Sequence, residues 1–181
     1  MKTIEFAAPG GETLNGGNGN NLISGGSGND VLIAGTGNDT LSGGPGNDTM
    51  TGGTGVDVFK WHLGDQGTTA APAVDTITDF NPAAVSSGGD VLDLRDLLQG
   101  ESRPAGTNGA GDLTNYLHFT LDAQGDTVIH VSSAGNFAAG GSGLEDQQII
   151  LVGVNLIGSN TTDAQIITTL LGEGKLETNG H

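Results

Sequence analysis

The 181-residue chain carries 21 Asp+Glu against 5 Lys+Arg, a formal net charge of −16, with 34 glycines, one Trp, one Tyr and no cysteine. That balance argues against nucleic acid, polyanionic sugars and acidic membranes as partners and points to cations. The missing cysteines rule out disulfide staples, and no apolar run approaches the ~18 residues of a membrane span.

The amino terminus, MKTIEFAAPGG, has one lysine and no apolar stretch of the kind a secretory signal peptide needs. From residue 7 the chain repeats every nine residues: AAPGGETLN (7–15), GGNGNNLIS (16–24), GGSGNDVLI (25–33), AGTGNDTLS (34–42), GGPGNDTMT (43–51) and GGTGVDVFK (52–60). A fixed period sets the architecture before any local propensity does. Column four is glycine in all six copies, and column six reads Glu12, Asn21, Asp30, Asp39, Asp48, Asp57. Column eight reads Leu14, Ile23, Leu32, Leu41, Met50, Phe59, apolar throughout.

Glycines in columns one, two and four describe a tight turn that brings backbone close to whatever it encloses. The triplet after the aspartate is a very short strand whose middle residue points inward and whose neighbours point out. Each nonapeptide is thus a turn plus a strand, two make one coil of a flattened roll, and units two apart stack. One inward apolar residue in nine cannot offset the entropy of ordering the other eight, so a further binding force is required. A hard cation supplies it. Calcium takes 6–8 oxygens in tolerant geometry, mixing carboxylates with backbone carbonyls. The carboxylates of Asp30, Asp39, Asp48 and Asp57, with Asn21, offer side-chain oxygens. The turns around Gly26, Gly28, Gly35, Gly37, Gly44, Gly46, Gly53 and Gly55 offer carbonyls. A flexible linker would not keep column eight apolar in every copy, and no GK[ST] follows the glycines to make a phosphate loop.

The pattern G-G-x-G-x-D-x-U-x, with U apolar, resembles the calcium-binding RTX nonapeptide. The resemblance implies a parallel β-roll holding about three to four calcium ions or more. Column three (Asn18, Ser27, Thr36, Pro45, Thr54) is also similar to the outward ladder of RTX-type ice-binding modules, but Pro45 breaks it. Asn21 for aspartate, Glu12 in the degenerate first copy, and Val56 for the usual asparagine depart from the pattern.

After Phe59 the period ends. VDTITDF (74–80) and GGDVLDLRDLL (88–98) read as strand, turn, strand and a short helical turn; YLHFTLD (116–122) and DTVIHVSS (126–133) read as a hairpin. A Gly/Ala/Ser loop (134–143) follows, then QQIILVGV (147–154) as a strand buried on both faces. In TTDAQIITTLLGEG, Thr162 and Gln165 fit a helix capping box. Ile166, Ile167, Leu170 and Leu171 form an apolar stripe, and Gly172 fits the residue just past the helix. Two readings of Asp75, Asp79, Asp90 and Asp93 stand open. They complete another calcium site, with Asp79 and Asp90 as its ligands, or they are solvated carboxylates that suppress edge pairing. His62, His118 and His130 read as surface or packed residues rather than a zinc site, and neither GxSxG nor HExxH occurs.

DVFKW, DTITDFNP, DVLDLRDLL, the hairpin and the terminal helix are similar to the C-terminal targeting region of type I secretion substrates, above all large Lap-like RTX adhesins of Gram-negative bacteria. That resemblance implies export unfolded and tail first through an ABC transporter and its associated channel, with folding on calcium outside the cell. The expectation is an all-β protein, a β-roll over 7–60 and a β-rich cap and secretion-signal region over 61–181 ending in a short α-helix. It is expected to be a secreted or cell-surface monomer that does not insert into membranes and is not an enzyme. The alternatives are a carbohydrate-binding accessory module, as in alginate epimerases, and the tail of an RTX hydrolase or toxin.

Overall fold

The structure is a computed structural model and describes residues 2–5, 9–98, 111–137, 144–158, 160 and 162–178. Seven short strands come from the nonapeptides and the segment before them: β1 (Lys2–Glu5), β2 (Thr13–Asn18), β3 (Asn21–Ser24), β4 (Val31–Thr36), β5 (Thr40–Ser42), β6 (Thr49–Thr54) and β7 (Val58–Lys60). They alternate between two sheets, all pairings within these repeats being parallel. Thr13 lies against Val31 and Val31 against Thr49, so one coil takes two nonapeptides. The expected stacking of units two apart is present.

Side-chain alternation does the rest. Ile23, Leu32, Leu41, Met50 and Phe59 are 0% exposed, while Val31 and Ile33, which flank Leu32, are 36% exposed. The column-eight residues thus form the spine of a single apolar core that runs on to Leu176.

The nonapeptide sequence stops at residue 60, but the sheets do not. Strand β8 (Ala73–Ile77) pairs with β6, placing Ile77 beside Met50, and β9 (Val91–Asp93) pairs with β7, placing Leu92 beside Phe59. The chain between β7 and β8, and between β8 and β9, loops out and returns to the next rung. The division expected between residues 60 and 61 is therefore a change of sequence pattern and not a break in either sheet.

The hairpin forms as expected from β10 (Leu117–Leu121) and β11 (Thr127–Val131). Strand β12 (Gln147–Leu151) lies antiparallel to β11 and parallel to β8, completing a seven-stranded sheet of order β10-β11-β12-β8-β6-β4-β2. It is shorter than the expected 147–154 and is not buried on both faces: Gln147, Ile149 and Leu151 are buried, Gln148 and Ile150 half-buried. Of the expected 134–143 loop, residues 138–143 lie outside the described residues, as do residues 7 and 8 of the first nonapeptide.

The helix α1 (Asp163–Gly172) buries Ile166, Ile167 and Leu170, and the Thr162 side chain accepts a hydrogen bond from the Gln165 N–H. Gly172 is not the stop: it is the last helical residue, and Gly174, at φ +75°, takes the left-handed turn. Beyond it β13 (Leu176–Glu177) pairs in parallel with β9 and ends the six-stranded sheet β1-β3-β5-β7-β9-β13. None of the described helices is long and apolar enough to cross a membrane.

Because the column-eight residues share one core, Leu41→Ala should lower the unfolding free energy of the calcium-saturated protein by about 2–5 kcal/mol in denaturant titrations. Val31→Thr, on the outer face, should shift it by no more than about 0.5 kcal/mol.

Candidate metal centre

The turns stack backbone on backbone. Gly44 and Gly46 sit at φ +98° and +151°, and a methyl group on either would land on the carbonyl oxygen of Gly26 or Gly28 in the coil before. The space between turns is too narrow for a side chain, and the conformation is one that only glycine adopts cheaply. The column-four N–H of one turn donates to the column-three carbonyl of the next coil, as Gly28 does to Pro45 O (2.9 Å) and Gly37 to Thr54 O (2.9 Å).

Column six makes two ladders. On one side, Asp30 Oδ1 accepts from the Glu12 N–H (2.8 Å), Asp48 Oδ1 from Asp30 N–H (2.8 Å) and Asp75 Oδ1 from Asp48 N–H (2.8 Å). On the other, Asp39 Oδ1 accepts from Asn21 N–H (2.6 Å), Asp57 Oδ1 from Asp39 N–H (2.8 Å) and Asp90 Oδ1 from Asp57 N–H (2.9 Å). Asp75 and Asp90 stand outside the nonapeptides and yet are rungs of the same ladders. Their signal was present in the sequence as the triplets Asp75-Thr76-Ile77 and Asp90-Val91-Leu92. These repeat the Asp-x-apolar columns of Asp48-Thr49-Met50 and Asp57-Val58-Phe59 without the glycine turn before them.

The second carboxylate oxygen behaves differently. Asp30, Asp39, Asp48 and Asp57 are each 1% exposed, and the Oδ2 of every one is buried with no hydrogen-bond partner. Four buried, unpartnered carboxylate oxygens, two in each ladder, need a cation or a proton to neutralise them. Among the described residues no three His, Asp or Glu side chains converge on one point. An ion here would be held by one or two of these carboxylates together with turn carbonyls. That all-oxygen, anionic donor set fits a hard cation such as Ca²⁺ and not a metal that prefers nitrogen or sulfur.

The other sequence candidates do not share the bare Oδ2 of these four. Asn21 turns its Nδ2 to the Gly19 carbonyl (2.7 Å). Asp75 Oδ2 accepts from Trp61 Nε1–H (2.7 Å) and Gln147 Nε2–H (2.9 Å), and Asp90 Oδ2 from the Asn81 N–H (2.8 Å). Asp79 spends its two oxygens on the Gly52 and Gly53 N–H groups (2.9 and 2.7 Å), holding the last turn in place. Asp93 is paired with Arg95 (2.7 Å) and Lys60 (3.9 Å). The four aspartates after the repeats are thus not gathered into one cluster. His118 and His130 oppose each other across the hairpin, bonded to Asp163 and Thr120, and His62 faces Ser42 and Asp65. Trp61, Gln147 and Asn81 escaped the sequence reading because nothing local marks them as partners of a carboxylate.

Burial sets the electrostatics. It pushes Asp48 up to about 7, helped by the charges of Asp75 and Asp30 and opposed by the Asp30 N–H. Asp57 rises to about 6 by burial and the neighbouring Asp90, Asp39 and Asp79. Asp75 also rises to about 6 by burial, against the pull of the Trp61, Asp48 and Gln147 donors. Asp93 goes the other way: burial raises it, but hydrogen bonds and charge from Arg95 hold it below the usual carboxylate range.

A sequence profile for the RTX calcium-binding nonapeptide repeat, four copies long, matches residues 6–41 and again residues 24–59. Residues 6–59 are RTX calcium-binding repeats. Among solved structures, the chain is similar to the AlgE6R3 subunit from the Azotobacter vinelandii mannuronan C5-epimerase. The two are 26% identical with a TM-score of 0.58, over 82% of this chain and 74% of that one. The AlgE6R2 subunit of the same epimerase is 23% identical with a TM-score of 0.62, over 98% of this chain and 92% of that one, and shares the fold. No curated protein matches the chain by sequence. RTX calcium-binding repeats over these residues and their β-roll are therefore shown, and the mostly-β fold with one short C-terminal helix agrees with expectation.

The raised carboxylates imply opposite pH responses with and without metal. A carboxyl whose folded pKa lies above its unfolded value binds protons more tightly when folded, so the metal-free fold gains stability as pH falls from about 7 toward about 4. In calcium the protons compete with the cation, and stability falls over the same range. In chelator the β signal by circular dichroism should be stronger at about pH 5.5 than at about pH 7.5, whereas in saturating calcium the thermal midpoint should fall over the same range.

Proposed function

We propose that the chain is a calcium-triggered folding module of a protein exported by type I secretion, and that it serves the C-terminal, targeting part of a large surface adhesin. The observation that supports this reading is the set of four buried Oδ2 atoms on Asp30, Asp39, Asp48 and Asp57. Bound calcium would supply the positive charge that those oxygens and the turn carbonyls lack. The aspartates then act as rungs: Oδ1 holds the backbone of the preceding coil while Oδ2 faces the cation. The glycine turns close the distance between coils, and the column-eight residues seal the inside. Without cations, a net charge of −16 opposes compaction, which suits a chain that must stay extended during export. The module binds and folds, and chemistry belongs to other parts of an exported protein, whether adhesin, hydrolase or toxin.

The likeness to AlgE6R3 favours a second reading, an accessory module of a secreted polysaccharide-modifying enzyme. Sugar recognition by stacking needs an exposed aromatic face. Trp61 is 2% and Tyr116 7% exposed, and Phe59, Phe80, Phe119 and Phe137 are buried as well. Lys60, Arg95 and Lys175 are engaged in ion pairs with the protein's own carboxylates. These placements support the folding role over the sugar-binding one.

Extracellular calcium modules bind at about 10⁻⁴–10⁻³ M, and the same range is expected here. At about pH 7.5, circular dichroism should show the β spectrum of the full chain lost in chelator and restored by millimolar calcium. Calorimetry returning nanomolar affinity would overturn the reading, because the chain would then fold in the cytosol before export.

A further inference from the structure

The two carboxylate ladders have ends, and three of the four ends differ from the interior rungs in the same way. At an interior rung the second oxygen of the aspartate lies beside the column-one residue of its own unit. A methyl group on Gly52 would come within 2.6 Å of Asp57 Oδ2, and one on Gly25 or Gly43 would strike the Oδ2 of Asp30 or Asp48. At Asn21 the atom in that place is Nδ2, 2.8 Å from a methyl group on Gly16, and it donates to the Gly19 carbonyl at 2.7 Å. Where interior rungs leave a bare oxygen facing the turn, Asn21 supplies an N–H.

The far ends reach the same result by other means. The Asp90 Oδ2 that would continue the Asn21 ladder receives the Asn81 N–H at 2.8 Å. The Asp75 Oδ2 that would continue the Glu12 ladder receives two donors, Trp61 Nε1–H at 2.7 Å and Gln147 Nε2–H at 2.9 Å. Asp75, Asp90 and Asn21 are 1%, 3% and 3% exposed, as buried as the interior rungs, so solvent does not explain the difference. Asn21 keeps one bare atom, Oδ1, but as an amide oxygen it carries no full charge; the Glu12 end alone has no such donor, and Glu12 Oε2 is itself buried without a partner.

We infer that these three ends are metal-free stops, in which a hydrogen-bond donor of the protein replaces a calcium ion, so that Asn21, Asp75 and Asp90 bind none. The reasoning is one of charge and valence. A buried carboxylate oxygen needs either a cation or a donor, and a ladder that ended on a bare oxygen would leave a charge unpaired at the boundary. The inference rests on the calcium reading of the interior rungs and goes beyond it by fixing where the ions stop. It also gives the indole of Trp61 a purpose: the ring fills the core while its N–H closes the ladder.

Counting bound calcium per chain, by calorimetry and by metal analysis after equilibrium dialysis, tests this in the full-length protein. Asn21→Asp exchanges the N–H donor for an oxygen and should take up one more ion than the wild type. Asp48→Asn should take up at least one fewer. Asp75→Asn and Asp90→Asn should keep the wild-type number while lowering the thermal midpoint in calcium, because their new amide would face the N–H of Trp61 or Asn81. Circular dichroism in saturating calcium confirms folding; should Asp75→Asn fail to fold, Asn21→Asp and Asp90→Asn decide. An unchanged count in Asn21→Asp, or a lost ion in Asp90→Asn, overturns the stops while leaving the calcium module standing. A wild-type chain that binds no calcium overturns both.

Discussion

A carboxylate with two oxygens doing different jobs is what the roll depends on. Oδ1 of each column-six aspartate takes the backbone N–H of the residue 18 positions earlier on its ladder, as Asp48 does for Asp30 and Asp57 for Asp39. The main chain returns the contact: the Asp30 carbonyl accepts from Thr49 N–H and the Asp39 carbonyl from Val58 N–H, both at 2.8 Å. Each aspartate is clamped to the next coil from both sides, and the register of two parallel sheets follows. Glycine turns and inward apolar residues are consistent with that register but do not by themselves choose it.

The same clamp concentrates negative charge. Placing Asp30, Asp48 and Asp75 in one ladder and Asp39, Asp57 and Asp90 in the other buries like charges in line, which is why burial and neighbouring carboxylates together lift Asp48 and Asp57. The two halves of the molecule meet this strain differently. In the repeats each nonapeptide contributes one large core side chain, with Ala34 the one small addition. In the region after β9 the core thickens with Leu94, Leu97, Leu98, Leu113, Ile166 and Ile167, and carboxylates are matched to Arg95, Lys60 or neutral donors. The cap stands on apolar burial; the roll stands on charge balance.

Much of this was legible in the residues. Leu32 between Val31 and Ile33 announced an alternating strand, which is found. The glycines of columns one, two and four announced tight turns; after the first copy those of columns two and four sit at positive φ, but column one does not, and Gly16 and Gly52 lie within β2 and β6. Thr162 announced the helix start correctly. The helix end was misread because Gly172 and Gly174 are equivalent in sequence, and only the docking of β13 on β9 decides which one turns. The continuation of the sheets through β8 and β9 was hidden because pairing constrains the strands alone. An insertion between rungs erases the period without disturbing the ladder. Tertiary donors such as Gln147, 72 residues from Asp75, leave no local trace at all.

The rungs also have a polarity. Every Oδ1 acceptor belongs to the later coil and every N–H it receives to the earlier one, from Asp75 back through Asp48 and Asp30 to Glu12. A chain delivered carboxyl end first therefore presents each arriving coil with an acceptor already fixed in place, starting from one held by Trp61 and Gln147. Delivered in the opposite sense, each coil would find the main-chain carbonyls of the one before, as Thr49 finds that of Asp30, but would wait for the Oδ1 that fixes the aspartate's own N–H. Carboxyl end first, the roll would grow as a template-directed stack, each layer seated on one already folded.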